Sequence, residues 1–295
     1  MKVFTNCDSL FSDPDTLTVN TSPVITTTPA PAAVSNTLGQ CRATVTYSPA
    51  AASGISTPTI TYSQASGTTF PVGTTPVTVT ATNTCGMVTS SFNVRVNDTQ
   101  VPTITAPPAV TFSANSNCQG SGNLGTPTAA DNCTTVTVTN NAPATFPKGT
   151  TTVIWTATDG NNNTATATQT VTVVDNTNPT IIAPPAVTFS ANSNCQGSGN
   201  LGTPTAADNC TTVTVTNNAP TTFPLGTTTV TWTATDGNSN SVTATQSVTV
   251  VDNTNPTITA PANVTFYANS NCIGSGSLGT PTTADNCSIQ SVTNS

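Results

Sequence analysis

The chain has 295 residues, enough for two or three domains, with a net charge of −7, only 5% charged and 5% aromatic residues, and no histidine. All its acids are aspartates and its only bases are Lys2, Arg42, Arg95 and Lys148, which excludes the cation clusters that nucleic acid or an anionic membrane surface needs. Without histidine no Ser–His or Cys–His nucleophile forms, and no apolar run approaches the roughly 20 residues of a spanning helix.

In chain order, residues 1–19 read as the end of a preceding module or an amino-terminal hairpin. Thr5-Asn6-Cys7 matches Thr82-Asn83-Thr84-Cys85, and Leu17-Thr18-Val19-Asn20 matches the run ending Val94-Arg95-Val96-Asn97. Met1 to Cys7 contains no apolar leader segment. Residues 20–97 are a diverged copy of a unit that then repeats over 98–174 and 175–251, and residues 252–295 are the first half of a further copy. Cys118 recurs at Cys195 and Cys272 with a step of 77 residues, and Cys133, Cys210 and Cys287 keep that step. The chain thus begins in one module and ends in another, as a slice of a longer array does.

Each copy reads as strands. Thr135–Thr139, the stretch from Thr152 to Ala157 and Thr164–Val173 alternate apolar and polar residues with many β-branched side chains, the pattern of half-buried strands. Asp159-Gly160-Asn161-Asn162 signals a hairpin turn, Gly and Pro clusters separate the runs, and nothing has helical period. Several short strands in a small unit predict an all-β fold, a β-sandwich in each copy. The expected core is Ile104, Val110, Phe112, Leu124, Val136, Val138, Phe146, Val153, Trp155, Val171 and Val173. Val79 stands where Trp155 stands later, a swap that suits a buried position.

The run Phe-Pro-x-Gly-Thr-Thr-x-Val-x-Trp-Thr-Ala-Thr-Asp at 146–159 and 223–236, the element Asp131-Asn132-Cys133 and the linker Val173-Val174-Asp175-Asn176-Thr177-Asn178-Pro179 resemble the hyalin repeat (HYR) module. The resemblance covers nearly the whole chain. It implies tandem immunoglobulin-like β-sandwich modules in an elongated array, in extracellular proteins linked to adhesion, with no catalytic residues to transfer. The Thr- and Asn-rich style resembles large surface proteins of Bacteroidota-type bacteria. The first copy departs from the pattern by lacking the Asp-Asn-Cys element and the Trp.

Nine cysteines in a polar chain suggest an oxidising compartment; metal thiolates find no support, with no CxxC pair and no histidine. The parsimonious pairing lies within each copy: Cys118 with Cys133, Cys195 with Cys210, Cys272 with Cys287, and Cys41 with Cys85 in the first. Cys7 is left over. Either its partner lay upstream, or it bonds between molecules, with the amino-terminal hairpin completing the unfinished last module of a neighbour.

The aspartates also fall in register: Asp98, Asp131 and Asp159; Asp175, Asp208 and Asp236; Asp252 and Asp285. In an immunoglobulin-like sandwich the incoming linker, one loop and the last hairpin share a pole, so each set converges at a module junction and offers hard oxygens for Ca²⁺. The linker also resembles the calcium-binding linkers of cadherins. The competing reading is that Asp and Asn simply hold turns. Asp8-Ser9-Leu10 and Asp15-Thr16-Leu17 resemble Bacteroidota O-glycosylation sites, at Ser9 and Thr16.

These features predict a non-catalytic, extracellular or cell-surface structural and adhesive protein, a segment of a filament or stalk. Its partners are neighbouring modules or copies of itself, glycans or other cells. The alternative is a glycan- or surface-binding accessory array within a larger secreted protein.

Overall fold

The computed structural model describes residues 11–13, 16–18 and 21–293, with side chains from residue 21 onward. Among these residues every regular element is a strand, and no helix is long and apolar enough to cross a membrane. The chain divides into two compact units. One comprises residues up to 110 with 123–144 and 151–171; the other comprises 111–122, 145–150 and 172–295.

In the first unit, repeat 20–97 forms a sandwich. One sheet has the order Val34–Ser35, Gly86–Asn97, Gly73–Asn83, Thr59–Tyr62. Opposite it, Val24–Thr27 pairs with Ala51–Ser53, and Arg42–Val45 pairs with Thr68–Pro71. Period-two alternation decides what is inside: Val77, Val79 and Ala81 on one long strand and Phe92, Val94 and Val96 on the next turn inward onto Ala43, Val45 and Phe70. Burying each such valine contributes roughly 1.5–3 kcal/mol, and Thr78, Asn93 and Arg95 between them face solvent.

The second unit contains the same arrangement in repeat 175–251. Val187–Ser190, Ser241–Val251, Gly226–Thr235 and Thr214–Asn217 make the larger sheet. Thr180–Ile182 pairs with Thr205–Ala207, and Gln196–Gly197 with Phe223–Pro224. Phe223, Val230, Trp232, Val248 and Val250 form the core, with Ile181, Phe189 and Leu201 packed against it. A four-stranded sheet with a parallel strand at its edge, faced across one apolar core by two two-stranded sheets, makes these repeats immunoglobulin-like sandwiches in tandem.

The registers fix two poles. Val187–Ser190 runs parallel to the end of the long strand, with Ser190 opposite Val251, so the turn after Ser190 emerges at the carboxy pole. Thr205–Ala207 runs antiparallel to Thr180–Ile182, so the loop after Ala207 returns to the amino pole. The hairpin turn Asp236–Asn240, just before the strand Ser241–Val251, lies there as well.

The expected core of repeat 98–174 is partly as read. Phe146, Val153, Trp155, Val171 and Val173 are buried, whereas Ile104, Val110, Phe112, Leu124, Val136 and Val138 are only half-buried. Gln169 and Gln246, unforeseen in the core, are both 2% exposed. Each accepts a hydrogen bond from a tryptophan indole, Trp155 at 3.0 Å and Trp232 at 3.1 Å. Each also donates to two carbonyls, of Pro108 and Leu124 or of Pro185 and Leu201, at 2.7 Å. A buried indole N–H needs an acceptor, so Trp and Gln come as a pair. The first repeat replaces both, with Val79 and Phe92, and needs neither bond. Among the described residues 252–293 a single pairing, Thr257–Thr259 with Thr282–Ala284, is present, and Ile258 and Leu278 stand exposed.

Candidate functional site at the repeat junctions

Two kinds of turn meet at each junction. At the carboxy pole, Asn192-Ser193-Asn194-Cys195 closes on itself: the Asn192 Oδ1 accepts from the amides of Asn194 (2.9 Å) and Gln196 (3.1 Å), and the Cys195 amide donates to the Asn192 carbonyl at 3.0 Å. The turn leaves Cys195 at φ 59°, a left-handed conformation uncommon for a non-glycine residue. Cys118 and Cys272 adopt the same φ of 59°. At the amino pole, the Asp208 Oδ2 accepts from the amides of Cys210 (2.9 Å) and Thr211 (3.0 Å), so the Asp-Asn-Cys element is an Asx-type turn that presents Cys210.

The turns are joined covalently across repeats. Cys118 bonds to Cys210, with Cα atoms 4.8 Å apart, and Cys195 bonds to Cys287, with Cα atoms 4.6 Å apart. Beside each bridge an asparagine reinforces the contact: the Asn209 Nδ2 donates to the Asn115 carbonyl at 3.0 Å, and the Asn286 Nδ2 to the Asn192 carbonyl at 3.2 Å.

These bonds correct the pairing expected within each copy. Cys195 and Cys210 sit at opposite poles of their sandwich, separated by a long strand of 11 residues that spans roughly 35 Å, far beyond the ~7 Å Cα limit of a disulfide. The expected Cys118–Cys133, Cys195–Cys210 and Cys272–Cys287 bridges are therefore not formed. Cys41 with Cys85 fails for the same reason. Cys41 follows Val34–Ser35, whose partners Val96 and Asn97 end the long strand Gly86–Asn97, and Cys85 precedes that strand's start. Cys41, Cys85, Cys133 and Cys272 carry no disulfide in this structure.

The aspartates converge at the same poles. Oxygens of Asp175, Asp208 and Asp236 all lie within 4.8 Å of one another. Asp175 and Asp236 are buried. One oxygen of each carboxylate holds a turn: Asp175 Oδ1 takes the Thr177 amide at 3.2 Å, and Asp236 Oδ1 takes the amides of Asn238 and Asn240 at 2.8 Å. The Asn240 side chain donates to Asp236 Oδ2 at 2.8 Å and to the Asp175 carbonyl at 3.2 Å. Yet Asp175 Oδ2, Asp208 Oδ1 and Asn209 Oδ1 are buried with no donor at all. Turn chemistry accounts for the bonded oxygens and leaves these three unexplained, although a buried acceptor without a donor is destabilising.

Amides set the charge state of these groups. The Cys210 amide chiefly holds the Asp208 carboxyl below its ordinary range, with the Thr211 and Asn209 amides and the Thr211 hydroxyl adding to it against burial. Burial pushes Asp236 up, but the Asn240 side chain and the amides of Asn240 and Asn238 outweigh it, and the Asp236 carboxyl also titrates low; the charge of Asp208 opposes this.

The preceding junction differs in one ligand. Asp98, Asp131 and Cys133 come together within 4.8 Å, and Asp98 Oδ2 and Asp131 Oδ1 are buried without donors. Asp98 Oδ1 takes the Asn36 side chain at 3.0 Å and the Gln100 amide at 3.2 Å. Asp159 is buried and stands in the Asp236 position, with both oxygens bonded to Asn161 and Asn163. Burial pushes its carboxyl up, and the Asn163 side chain with the Asn163 and Asn161 amides brings it below the ordinary range. The Cys133 thiol is pushed up to about 12 by burial, by a hydrogen bond with Cys41 and by the charge of Asp98, against a lowering bond from Asn36. At the last junction Asp252 takes the Thr254 amide at 3.0 Å, and Asp285 Oδ1 and Asn286 Oδ1 are again buried without donors.

Cys7 and Ser9 lie outside the described residues, as does the side chain of Thr16. Sequence reasoning missed the asparagines that clamp the bridges, Asn209 and Asn286. It also missed the cross-repeat register of the cysteines, for which a signal existed: the first copy has Cys41 and no Asp-Asn-Cys element.

No family model matches the chain. Hyalin of Lytechinus variegatus is 35% identical over 203 residues, which are 62% of this chain and 37% of hyalin; the chain thus spans little more than a third of that relative. Among solved structures, Drosophila N-cadherin EC1-4 is similar with a TM-score of 0.36 at 12% identity, over 79% of this chain and 76% of that chain. The titin I-band fragment I67-I69 is similar with a TM-score of 0.36 at 10% identity, over 78% and 99%. The hyalin match supports a hyalin-repeat-like, immunoglobulin-type module.

Proposed function

We propose that the chain is a non-catalytic, extracellular structural and adhesive protein built of hyalin-repeat-like modules over 20–97, 98–174 and 175–251, with the first half of a further module over 252–295 and, over 1–19, the end of a preceding module or an amino-terminal hairpin. Its junctions hold Ca²⁺, and its partners are neighbouring modules or copies of itself in a filament or stalk. The observation that carries this reading is the set of buried oxygens without donors at a junction already bonded covalently. A joint cross-linked and lined with acceptors is built to hold successive modules in one register, which a filament needs and an enzyme does not.

The donor chemistry fits a hard divalent cation. Asp175, Asp208 and Asp236, with the Asn209 carbonyl, offer only oxygen. Carboxylates whose oxygens lie within 4.8 Å of one another repel, and low-titrating Asp208 and Asp236 stay charged near neutral pH. A bound Ca²⁺ would supply the missing positive charge and satisfy the orphaned oxygens. Asp98 and Asp131 would serve the preceding junction and Asp252 and Asp285 the last.

The test is thermal unfolding of the full chain in 1 mM EGTA against 1 mM CaCl₂, with electron microscopy of the same samples. A cation bound with Kd near 10 μM stabilises by about 2.7 kcal/mol at a hundredfold excess, so the unfolding temperature should rise by several degrees in calcium. Identical curves and identical particles in both buffers would remove calcium from the proposal. Particles that never associate would remove the filament and leave the module array standing.

A further inference from the structure

We infer that Cys41 and Cys133 form a third bridge between repeats, completing the series made by Cys118–Cys210 and Cys195–Cys287. The two formed bridges each span a sequence separation of 92, and Cys133 follows Cys41 by the same 92 residues. The Cys41 thiol lies close enough to Cys133 to help push the Cys133 thiol up.

The surroundings repeat as well. Cys133 sits in the Asp-Asn-Cys turn, with its amide on Asp131 Oδ2 at 2.8 Å, as the Cys210 amide sits on Asp208 Oδ2. Its Sγ lies 3.6 Å from the Asn36 Nδ2 and 4.0 Å from the Gln40 carbonyl, against the turn that carries Cys41. That turn differs from its later copies. Thr37 donates to the Arg42 carbonyl at 2.8 Å, where Asn115 donates to the Gln119 carbonyl, so the loop is one residue longer and Cys41 falls one place later in it. Gln100 closes the gap. Its Oε1 takes the Gly39 amide at 2.7 Å and its Nε2 donates to the Thr37 carbonyl at 2.9 Å, the task that Asn209 performs on Asn115 one junction later. The turns are thus held face to face before any bond forms.

The step is thiol–disulfide exchange with a small-molecule disulfide of the oxidised-glutathione class. One cysteine sulfur attacks it to give a mixed disulfide and release one small thiol; the second displaces the other. Two cysteine thiols and one small disulfide become one protein disulfide and two small thiols, which carry away both protons and both electrons.

Covalent mapping of the full chain, exported or oxidised with glutathione and then alkylated, tests this. Trypsin and Asp-N together place each of the nine cysteines on its own peptide. The expected product joins residues 15–42 to residues 131–148 at the sum of their masses less two hydrogens, is lost on reduction, and leaves Cys85 alkylated in residues 43–95. The peptide 98–130 joined to 208–235 reports the Cys118–Cys210 bridge in the same digest. Alkylated Cys41 and Cys133 in a sample where that second pair is intact would overturn the inference, as would Cys41 joined to the Cys85 or Cys7 peptide. A Cys41→Ser variant should convert Cys133 from linked to alkylated and leave Cys85 unchanged; no change at Cys133 would also refute it.

Discussion

Replacing Gln246 by Leu tests whether the buried Trp–Gln pair stabilises its sandwich through hydrogen bonds or by filling space. The Gln246 side chain is 2% exposed and makes three bonds, from the Trp232 indole at 3.1 Å and to the carbonyls of Pro185 and Leu201 at 2.7 Å. Leucine strands all three groups. Each stranded buried group costs roughly 1–3 kcal/mol, and the added apolar burial returns about 2 kcal/mol, for a net loss of about 1–7 kcal/mol over the three groups. Trp155 and Trp232 are the only tryptophans, so in a Trp155→Phe background fluorescence follows this repeat alone. With a urea m-value of about 1 kcal/mol/M for so small a unit, the midpoint should fall by about 1 M or more. The double variant Trp232→Val with Gln246→Phe copies the first repeat's Val79 and Phe92, and should cost about 1–2 kcal/mol less than its two halves added together. A midpoint within about 0.3 M of the parent for Gln246→Leu would refute the reasoning, because space-filling alone would then account for the pair.

Further outcomes follow from the junctions and the core. Removing one bridge, with Cys118→Ser and Cys210→Ser together, opens a loop with a separation of 92 residues and should destabilise by up to about 4–5 kcal/mol on the chain-entropy model, measurable by calorimetry; an unchanged transition would show the bridge to be thermodynamically idle. Asp208→Asn should abolish any calcium-induced rise in unfolding temperature at its junction and retain part of the turn. Asp159, Asp208 and Asp236 titrate below the ordinary range when folded, so their stabilisation is present above the ordinary value of about 3.9 and is lost as pH falls through their lowered values. Asp236→Asn should therefore flatten the acid limb of a stability–pH curve below about pH 4, and an identical acid limb would contradict the assigned bonds. Gly197→Ala would place a Cβ 2.7 Å from the Val250 Cγ2 and 3.0 Å from the Phe189 Cβ; the overpacking should cost about 1–3 kcal/mol in urea unfolding.

Strands and core were legible because both follow from period-two burial. The alternation around Val153 and Trp155 and around Val171 and Val173 put those side chains inside, and the Val79 swap identified the Trp site as core. Gln169 was hidden because a polar residue on an inward position reads as a break in the pattern until the Trp155 indole is seen to require it. The aspartate register was readable from spacing, and the convergence of Asp175, Asp208 and Asp236 followed once incoming linker, loop and hairpin shared a pole. Substitution of Cys133 for Asp159 in the neighbouring cluster did not follow from spacing, because Asp159 makes the same turn bonds as Asp236. The disulfide partners were misread for a geometric reason. In a periodic sequence a bridge within a copy and a bridge to the next copy recur with the same step, so spacing cannot separate them; only the pole at which each cysteine emerges does.

The two formed bridges overlap, since Cys195 precedes Cys210 along the chain. Pulled from its ends, the polypeptide would transmit tension from Cys118 through sulfur to Cys210, backward along the backbone to Cys195, and through sulfur again to Cys287. Residues 119–194 and 211–286 are left off that load path. The residues so bypassed would neither unravel nor lengthen under a force that leaves the two disulfides intact, and between Cys118 and Cys287 the working length would be set by the short segment from Cys195 to Cys210.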